Sequence, residues 1–522
     1  VLARRTRSAG GRRARMTLQL FSHAEVITLS DSTGDSVLVE DGRIRAIGAR
    51  EALLGRGSER EIDEIDLDGA VLLPGFVDGH AHLELSCFTQ DHHIQLHAPE
   101  VTSLAQILAV IAERRILQPS GWIVVRSSFA LDRRVAEGRL LDRAELDRVS
   151  PTAPVVVLAG LHVASLNSVG VEALGLGEIK RHASGMTVHR RSDGSLSGVF
   201  TEVWDRLPVA TVAQSREAIA SHARTLFGAH GITSMSTIST SAEDVRALQA
   251  LNREHELPFR VRFYPHVPRV GSLDDLLRLG ITSGFGDDHL RFGGVKIFVD
   301  GEGGDGLGAV FDDLKWSQPE LDEVVARATE AGVQLFMHAV TETGIRSAMR
   351  AVGAQSSQLL AELPAPHRIE HSGDYVPPGL VHDLAASGIG VVATPHFVSS
   401  DLVEENFQPL RRLVDAGVRV IGATDTTGTV PEGASPLFNI ASMVNRVDAN
   451  GEPSSQRLSA DEALRVFTDW SAQGQGEGGV KGVLRPGAFA DFAILADNPL
   501  RVEPGRIGGI DVLGSVVGGM RM

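Results

Sequence analysis

The sequence predicts an α/β fold: a (β/α)₈ TIM-type barrel over residues 71–477, carrying a small composite β-sandwich made from both chain ends, 17–70 and 478–522. Three observations lead there. Eight near-continuous apolar runs alternate with helix-type stretches, and a strand that is apolar on both faces belongs in a parallel sheet covered by helices. Several of those runs close on a histidine or aspartate and one holds a lysine within it, which places these side chains together at one mouth of the barrel. Each chain end holds short β-type segments too few to bury their own faces, so the two ends are expected to pair with each other.

Taken in order, residues 1–16 are basic and lack an apolar stretch, and they read as a disordered tail, or as residues upstream of a start at Met16, rather than a secretory signal. An Arg-rich transit peptide is the weaker alternative. Glu25–Leu29, Ser36–Glu40 and Arg43–Gly48 are β-type, with Asp41-Gly42 as the hairpin turn between the last two. The barrel strands are expected at Val71–Val77, Ile232–Thr237, Phe259–Pro265, Gly294–Val299, Val333–His338, Arg368–His371, Gly390–Thr394 and Val418–Ala423. Helical patterns fall between them at Asp244–His255, Leu273–Leu279, Leu321–Ala331, Gly344–Val352, Gly379–Ser387 and Leu402–Ala416. The stretch from about 84 to 225 is too long for one crossover and reads as an insertion, a lid or substrate-recognition element. Ser459 and Glu462 have the spacing of a capping box that opens a further helix. Gly482–Leu495 and Ile510–Val517 supply the closing β segments.

At 522 residues and 43% hydrophobic, the chain can bury a large core. Fifty basic against 66 acidic residues give a net charge of −16, which argues against nucleic acid or an anionic membrane as partner; keeping the protein soluble is the simpler reading of that charge, and the partner expected from the site is a small-molecule substrate. The lone cysteine, Cys87, rules out an intramolecular disulfide and fits a reducing, cytoplasmic setting as buried filler. No run approaches the roughly 20 apolar residues of a membrane span. The oligomeric state stays open, a homo-oligomer included.

His80 and His82 lie two apart at the end of an extended run, so both imidazoles leave the same face and can reach one ion at about 2.0–2.1 Å. Asp78 shares their parity and is expected to orient them. Alone, the pair would more often be polar residues in a turn. Lys296 is more telling, because a parallel strand offers it no solvent face. It either pairs with a carboxylate such as Asp300, or stands unmodified at the site, or has a lowered pKa and adds carbon dioxide to give a metal-bridging carbamate. His338 and His371 each end an apolar run, where a satisfied core histidine is the alternative. Asp425 closes the last run, where a carboxylate can both touch a metal and take a proton from water.

The order His80-x-His82, Lys296, His338, His371, Asp425 resembles the metal-dependent amidohydrolase superfamily, amidohydrolase family 3 type. The wording of Pro74–His82, of Gly293–Gly301 and of Arg368–His371 is similar to the branch containing the N-substituted formamide deformylases. The resemblance covers nearly the whole chain, including Gly160–Ser168, Gly198–Glu202 and Gly482–Asp491. It implies a (β/α)₈ barrel with a composite β-sandwich and one or two divalent ions, zinc being expected, held by those six side chains. Three positions depart from the family: Ala339-Val340 after His338, Thr394-Pro395-His396 on the seventh strand, and the Gly301–Gly308 loop. They fall where substrate would bind.

The expected chemistry is hydrolysis of an amide-type, non-peptide C–N bond by metal-activated water, with Asp425 moving the proton. His162, Glu202 and His396 are candidates for substrate contact, with structural roles as the alternative. Competing readings are a mononuclear aminohydrolase deaminating a heterocycle, with Glu342 as proton shuttle, an ester or lactone hydrolase on the same site, and a catalytically dead scaffold. Lys296 speaks against the first, and the filled ligand positions against the last.

Overall fold

The computed structural model describes residues 18–56, 61–177, 188–203, 206–300, 314–372, 376–397, 407–426 and 431–522. The basic tail and the Gly301–Gly308 loop lie outside them.

All eight apolar runs of the middle region form strands; seven lie in two parallel sheets, and the first, Val71–Val77, contributes only its end to them. One holds Phe76–Ala81, Ile232–Ser239, Arg260–Pro265 and a short strand Leu290–Phe292. The other holds Val295–Phe298, Leu335–His338, Arg368–Glu370, Gly390–Ala393 and Val420–Gly422. Two backbone hydrogen bonds run between them. Val267 N–H donates to Lys296 O at 2.9 Å, and Asp425 N–H donates to His80 O at 2.9 Å. Alternation along the strands sorts the side chains. Val295, Ile297, Leu335, Met337 and Ile369 join the large apolar core, whereas the alternate positions Lys296, Phe336, Arg368 and Glu370 are buried outside that cluster.

The connecting helices observed include Ala242–Arg253, Gln318–Glu330, Glu342–Gly353 and Pro378–Ser387, each within a few residues of its expected bounds. Of the expected 402–416 helix, Leu410–Asp415 is helical, and residues before 407 lie outside the described set. The Ser459–Glu462 capping box is formed and opens Ala460–Val466. No helix among the described residues is long and apolar enough to cross a membrane.

One expected strand divides. The Val71–Val77 run breaks at Gly75: Val71–Pro74 pairs with Phe492–Leu495, while Phe76–Ala81 enters the parallel sheet. Gly75 is required there, since a Cβ would lie 2.1 Å from Thr233 Oγ1. The chain thus passes between sheets at Gly75, a few residues beyond the expected boundary.

Strands from the two chain ends share one sheet: Glu25–Val26, Val71–Pro74, Phe492–Leu495, Val512–Val517 and Met520–Arg521. A second sheet holds Leu18–Ser22, Ser36–Glu40, Arg43–Gly48 and Ile62–Asp66. The Asp41-Gly42 turn has both residues left-handed, φ 51° and 75°, as a two-residue hairpin requires. Phe21, Val37, Val39, Leu72, Phe492 and Val516 belong to one apolar cluster spanning the two sheets. The last expected strand starts at Val512 rather than Ile510, because a 3₁₀ helix occupies Pro504–Gly509.

Between Ala81 and Ile232 the chain builds a six-stranded mixed sheet from residues 94–201, with an apolar cluster on each face. This core is shorter than the expected 84–225 insertion. Its flanking helices, Leu83–His92 and Val212–Leu226, pack on each other beside the parallel sheet instead.

Candidate metal centre

Asp425 is the hub of the site. Its Oδ1 lies 3.7 Å from His80 Nε2 and 3.5 Å from His82 Nε2, and its Oδ2 lies 3.9 Å from His371 Nδ1. One ligand atom each from His80, His82 and Asp425 fall within 4.8 Å of one another. These spacings are long for direct hydrogen bonds. They suit the edges of a ligand polyhedron, since donors about 2.0–2.1 Å from a tetrahedral ion sit roughly 3.4 Å apart. His371 (φ 61°) and Asp425 (φ 43°) both adopt left-handed backbone, which costs about 1–3 kcal/mol in a non-glycine residue and clusters at functional sites. The ring centroids of His80 and His371 are 4.8 Å apart, and those of His371 and His338 are 4.9 Å apart.

His80 is aimed by its strand neighbours. Its Nδ1 lies 2.5 Å from Glu370 Oε2. Glu370 in turn accepts from Arg368 Nε at 2.6 Å and Nη2 at 2.8 Å, and Arg368 Nη2 also donates to Gly79 O at 2.6 Å. Burial by itself would raise the Glu370 pKa, but Arg368 and then the His80 bond outweigh it and hold the group well below the usual carboxylate range. A carboxylate there keeps the proton on Nδ1 and turns the Nε2 lone pair toward Asp425. The sequence signal for this pair is a charged Arg-x-Glu at one parity of an otherwise apolar strand, a signal masked by the histidine that follows it.

Asp78 does not orient the imidazoles. It accepts from the backbone N–H groups of His80 (3.2 Å) and Thr424 (3.0 Å) and from Thr424 Oγ1 (2.5 Å). One pleat back from His80, it clamps the two main chains that carry the candidate ligands.

Lys296 is 2% exposed, and burial lowers its pKa to about 8. The expected alternative of an ion pair with Asp300 is not formed. That carboxylate accepts instead from Val340 N–H, Thr341 N–H and Thr341 Oγ1, which tie it to the start of the Glu342–Gly353 helix. Lys296 Nζ sits 4.9 Å from the Phe298 ring centroid and acts electrostatically on His82, His338 and His371. Burial lowers His82 to about 4 and holds His338 and His371 well below their usual value, which leaves neutral imidazoles, the ligating form. His82 Nδ1 and His338 Nε2 are buried with no hydrogen-bond partner among the described residues. Such orphaned nitrogens, beside carboxylates and a desolvated amine, fit a divalent metal ion.

The inserted sheet reaches this centre. His162 Nδ1 lies 3.0 and 3.1 Å from the two Glu202 carboxylate oxygens, and Glu202 N–H donates to His162 O at 2.7 Å. Glu202 is itself left-handed, φ 56°. The His162 ring centroid is 5.8 Å from that of His338. His396 is fully buried and set differently, its Nδ1 and backbone N–H both directed to Asn439 Oδ1 at 3.1 and 3.0 Å. Glu342 points away: it pairs with Arg346 at 2.6 Å on the solvent face of its helix, with its side chain 45% exposed. A deaminase shuttle at that position is therefore absent.

Neutral imidazoles, a partly open carboxylate and a buried amine at the ends of parallel strands are equipped to hold a Lewis acid and to move a proton. Comparison with known proteins agrees with this chemistry. Residues 63–521 match the amidohydrolase family. An N-substituted formamide deformylase of Arthrobacter pascens is 25% identical over 96% of this chain and 96% of its own length. A putative amidohydrolase of Bacillus subtilis is 24% identical over 93% and 95%. The crystal structure of an uncharacterised metal-dependent hydrolase from Pyrococcus furiosus superposes with a TM-score of 0.68 at 24% identity, covering 93% of this chain and all of that one.

Proposed function

The chain belongs to the amidohydrolase family, and from that premise we propose that it is a metal-dependent hydrolase that uses water to cleave a non-peptide C–N bond of a small molecule. The observation that carries the reading is the convergence of His80, His82 and Asp425, from the first and last parallel strands, on one point. The likeness to an N-substituted formamide deformylase along the full chain favours an amide-type bond.

His80, His82, His338, His371 and Asp425 would hold one or two zinc-type ions, His80, His82 and Asp425 being the three whose ligand atoms lie closest together. Lys296, buried and with a lowered pKa, would join them, either as the amine or, after addition of carbon dioxide with loss of one proton, as a carbamate able to supply oxygen donors. When bound, the ions supply Lewis acidity that polarises an amide carbonyl and makes water a better nucleophile near neutral pH. Asp425, with its side chain 20% exposed at the mouth of the site, takes the proton of the attacking water and returns it to the departing nitrogen. Glu370 fixes the tautomer of His80. His162, steadied by Glu202, and His396 serve to position the substrate.

In the finer reading of the fold, the two parallel sheets close into a (β/α)₈ barrel over residues 71–477, supported by the hydrogen bonds at Val267–Lys296 and Asp425–His80. The chain-end sheets, 17–70 with 478–522, form the composite β-sandwich, supported by their shared apolar cluster. A net charge of −16 and a single buried cysteine favour a small-molecule substrate and a reducing cytoplasm.

The test is a hydrolysis screen of the zinc-loaded protein against N-formyl, N-acyl and cyclic amides, with matched esters as controls. Amine release from at least one amide class is expected. Turnover of esters alone, or full turnover after verified metal removal, would overturn the reading.

A further inference from the structure

Thr394 follows the parallel strand Gly390–Ala393, which lies between the strand leading to His371 and the strand leading to Asp425. The register Ile369↔Val391 sets Val392 level with Glu370, the residue that reaches His80. Val392 packs with Ile421 and Ala423 in a small cluster of its own, whereas Val391 and Ala393 belong to the large core. Alternation therefore turns Thr394 to the side of Val392 and Glu370. Two residues of strand rise carry it about 7 Å beyond them, toward the end where the candidate ligands gather.

Thr394 is 0% exposed, and its hydroxyl has no hydrogen-bond partner among the described residues. Its carbonyl oxygen is fully used, accepting from Gln408 Nε2 at 2.8 Å and from Phe397 N–H at 3.1 Å. Hydroxyls at the same end of the neighbouring strands are spent within the fold. Ser372 Oγ donates to Ile369 O at 3.1 Å, Thr424 Oγ1 to Asp78 Oδ2 at 2.5 Å, and Thr426 Oγ1 to Thr424 Oγ1 at 2.7 Å. Burying a hydroxyl without a partner is costly, so the Thr394 hydroxyl calls for one that arrives from outside the chain. Zinc takes thiolate, imidazole and carboxylate ligands, so a neutral hydroxyl does not find that partner in the metal.

We propose that Thr394 Oγ1 donates a hydrogen bond to the carbonyl oxygen of the scissile amide. As water adds to the carbonyl carbon, the π pair of the C=O bond moves onto that oxygen, and the hydrogen bond strengthens as the charge grows. The identity of that oxygen rests on the amide-hydrolase reading; the hydroxyl's lack of a partner in the fold does not.

Thr394→Val keeps the shape and removes the hydroxyl, while Thr394→Ser keeps the hydroxyl. The zinc-loaded proteins are compared by metal content, by thermal unfolding, by kinetics on the amide that the hydrolysis screen selects, and by calorimetric binding of methylphosphonate, a tetrahedral oxyanion. Thr394→Val is expected to lower kcat by about 10²-fold or more with KM little changed, and to weaken methylphosphonate binding about tenfold, at full metal content. Its Tm is expected to equal or exceed that of the wild type, because the lost group had no partner in the fold. Thr394→Ser is expected to recover most of the activity and the binding. Unchanged kcat in Thr394→Val would overturn the proposal, and a lowered Tm beside it would return the hydroxyl to the fold. Methylphosphonate binding equal in, or absent from, all three proteins would overturn it as well. If no amide is cleaved while Thr394→Val alone weakens methylphosphonate, the hydrolase reading fails and the oxyanion contact stands.

Discussion

Glu370 Oε2 lies 2.5 Å from His80 Nδ1, with both side chains at most 1% exposed, so the orientation of a candidate metal ligand is set by a charge with no access to water. Arg368 keeps that charge in place through two hydrogen bonds. Glu370→Gln would leave the strand geometry but remove the anion. Metal affinity is expected to fall about 10–100-fold, measured by competition with a chelator. Arg368 would lose its charged partner, so a stability loss of about 3–5 kcal/mol is expected from urea denaturation. Unchanged metal affinity with lowered stability would reduce Glu370 to a structural partner of Arg368.

Removal of the metal tests the centre as a whole. Dialysis against a strong chelator is expected to abolish amide turnover and to lower Tm, because the ligand atoms converge only in the folded chain and binding stabilises that state. Added zinc should restore both. Asp425→Asn is expected to reduce kcat by about 10²–10⁴-fold. Metal content measured on the same sample separates loss of the proton acceptor from loss of a ligand. A variant that keeps full metal and full turnover would remove Asp425 from the chemistry.

The inserted sheet brings His162 to within 5.8 Å of the His338 ring and holds it through Glu202. Releasing that hold should misplace the imidazole without touching the candidate ligands. Glu202→Ala is expected to lower kcat/KM by about 10–100-fold at unchanged metal stoichiometry, and Glu202→Gln, which keeps a hydrogen-bond acceptor, to recover part of it. Equal activity in all three proteins would leave the pair a structural role only.

Much of this arrangement was legible in the residues, and the exceptions have physical causes. The apolar runs marked every strand of the two parallel sheets except the short Leu290–Phe292, because a strand buried on both faces must be apolar along its length. His80, His82, His371 and Asp425 stood out as polar groups at the ends of such runs, and they do come together. Glu370 was hidden by its company, since Arg-Ile-Glu-His reads as a motif around the histidine while the hydrogen bond crosses 290 positions of sequence. Parity puts Asp78 on the face of the two histidines, but it does not reveal that its carboxylate turns to the backbone of Thr424. Gly75 broke an apparently continuous strand because Thr233 approaches it from a distant part of the chain. The inserted sheet was expected only as an excess of length, since its register depends on pairings between strands far apart in sequence.

Glu477, 6% exposed, accepts from Arg262 Nε at 2.6 Å and from Lys481 Nζ at 2.5 Å, while Lys481 also donates to Ser234 Oγ at 2.9 Å. Arg262 and Ser234 lie on neighbouring parallel strands, so this one carboxylate ties the segment after the Asp469–Gly474 helix to the sheet. Burial would raise its pKa, but Lys481 and Arg262 outweigh that and hold it at about 2, against 4.5 for a free glutamate. Between those two values the unfolded chain binds a proton that the folded chain refuses. The stabilisation is therefore complete above about pH 4.5 and is lost as pH falls toward 2, a difference on the order of 3 kcal/mol. Urea midpoints of the wild type should accordingly drop between pH 5 and pH 3. Glu477→Gln should be less stable at pH 7, because two buried cations lose their anion, and its midpoint should change less over the acidic range. Parallel pH profiles for the two proteins would assign the acid sensitivity to other carboxylates.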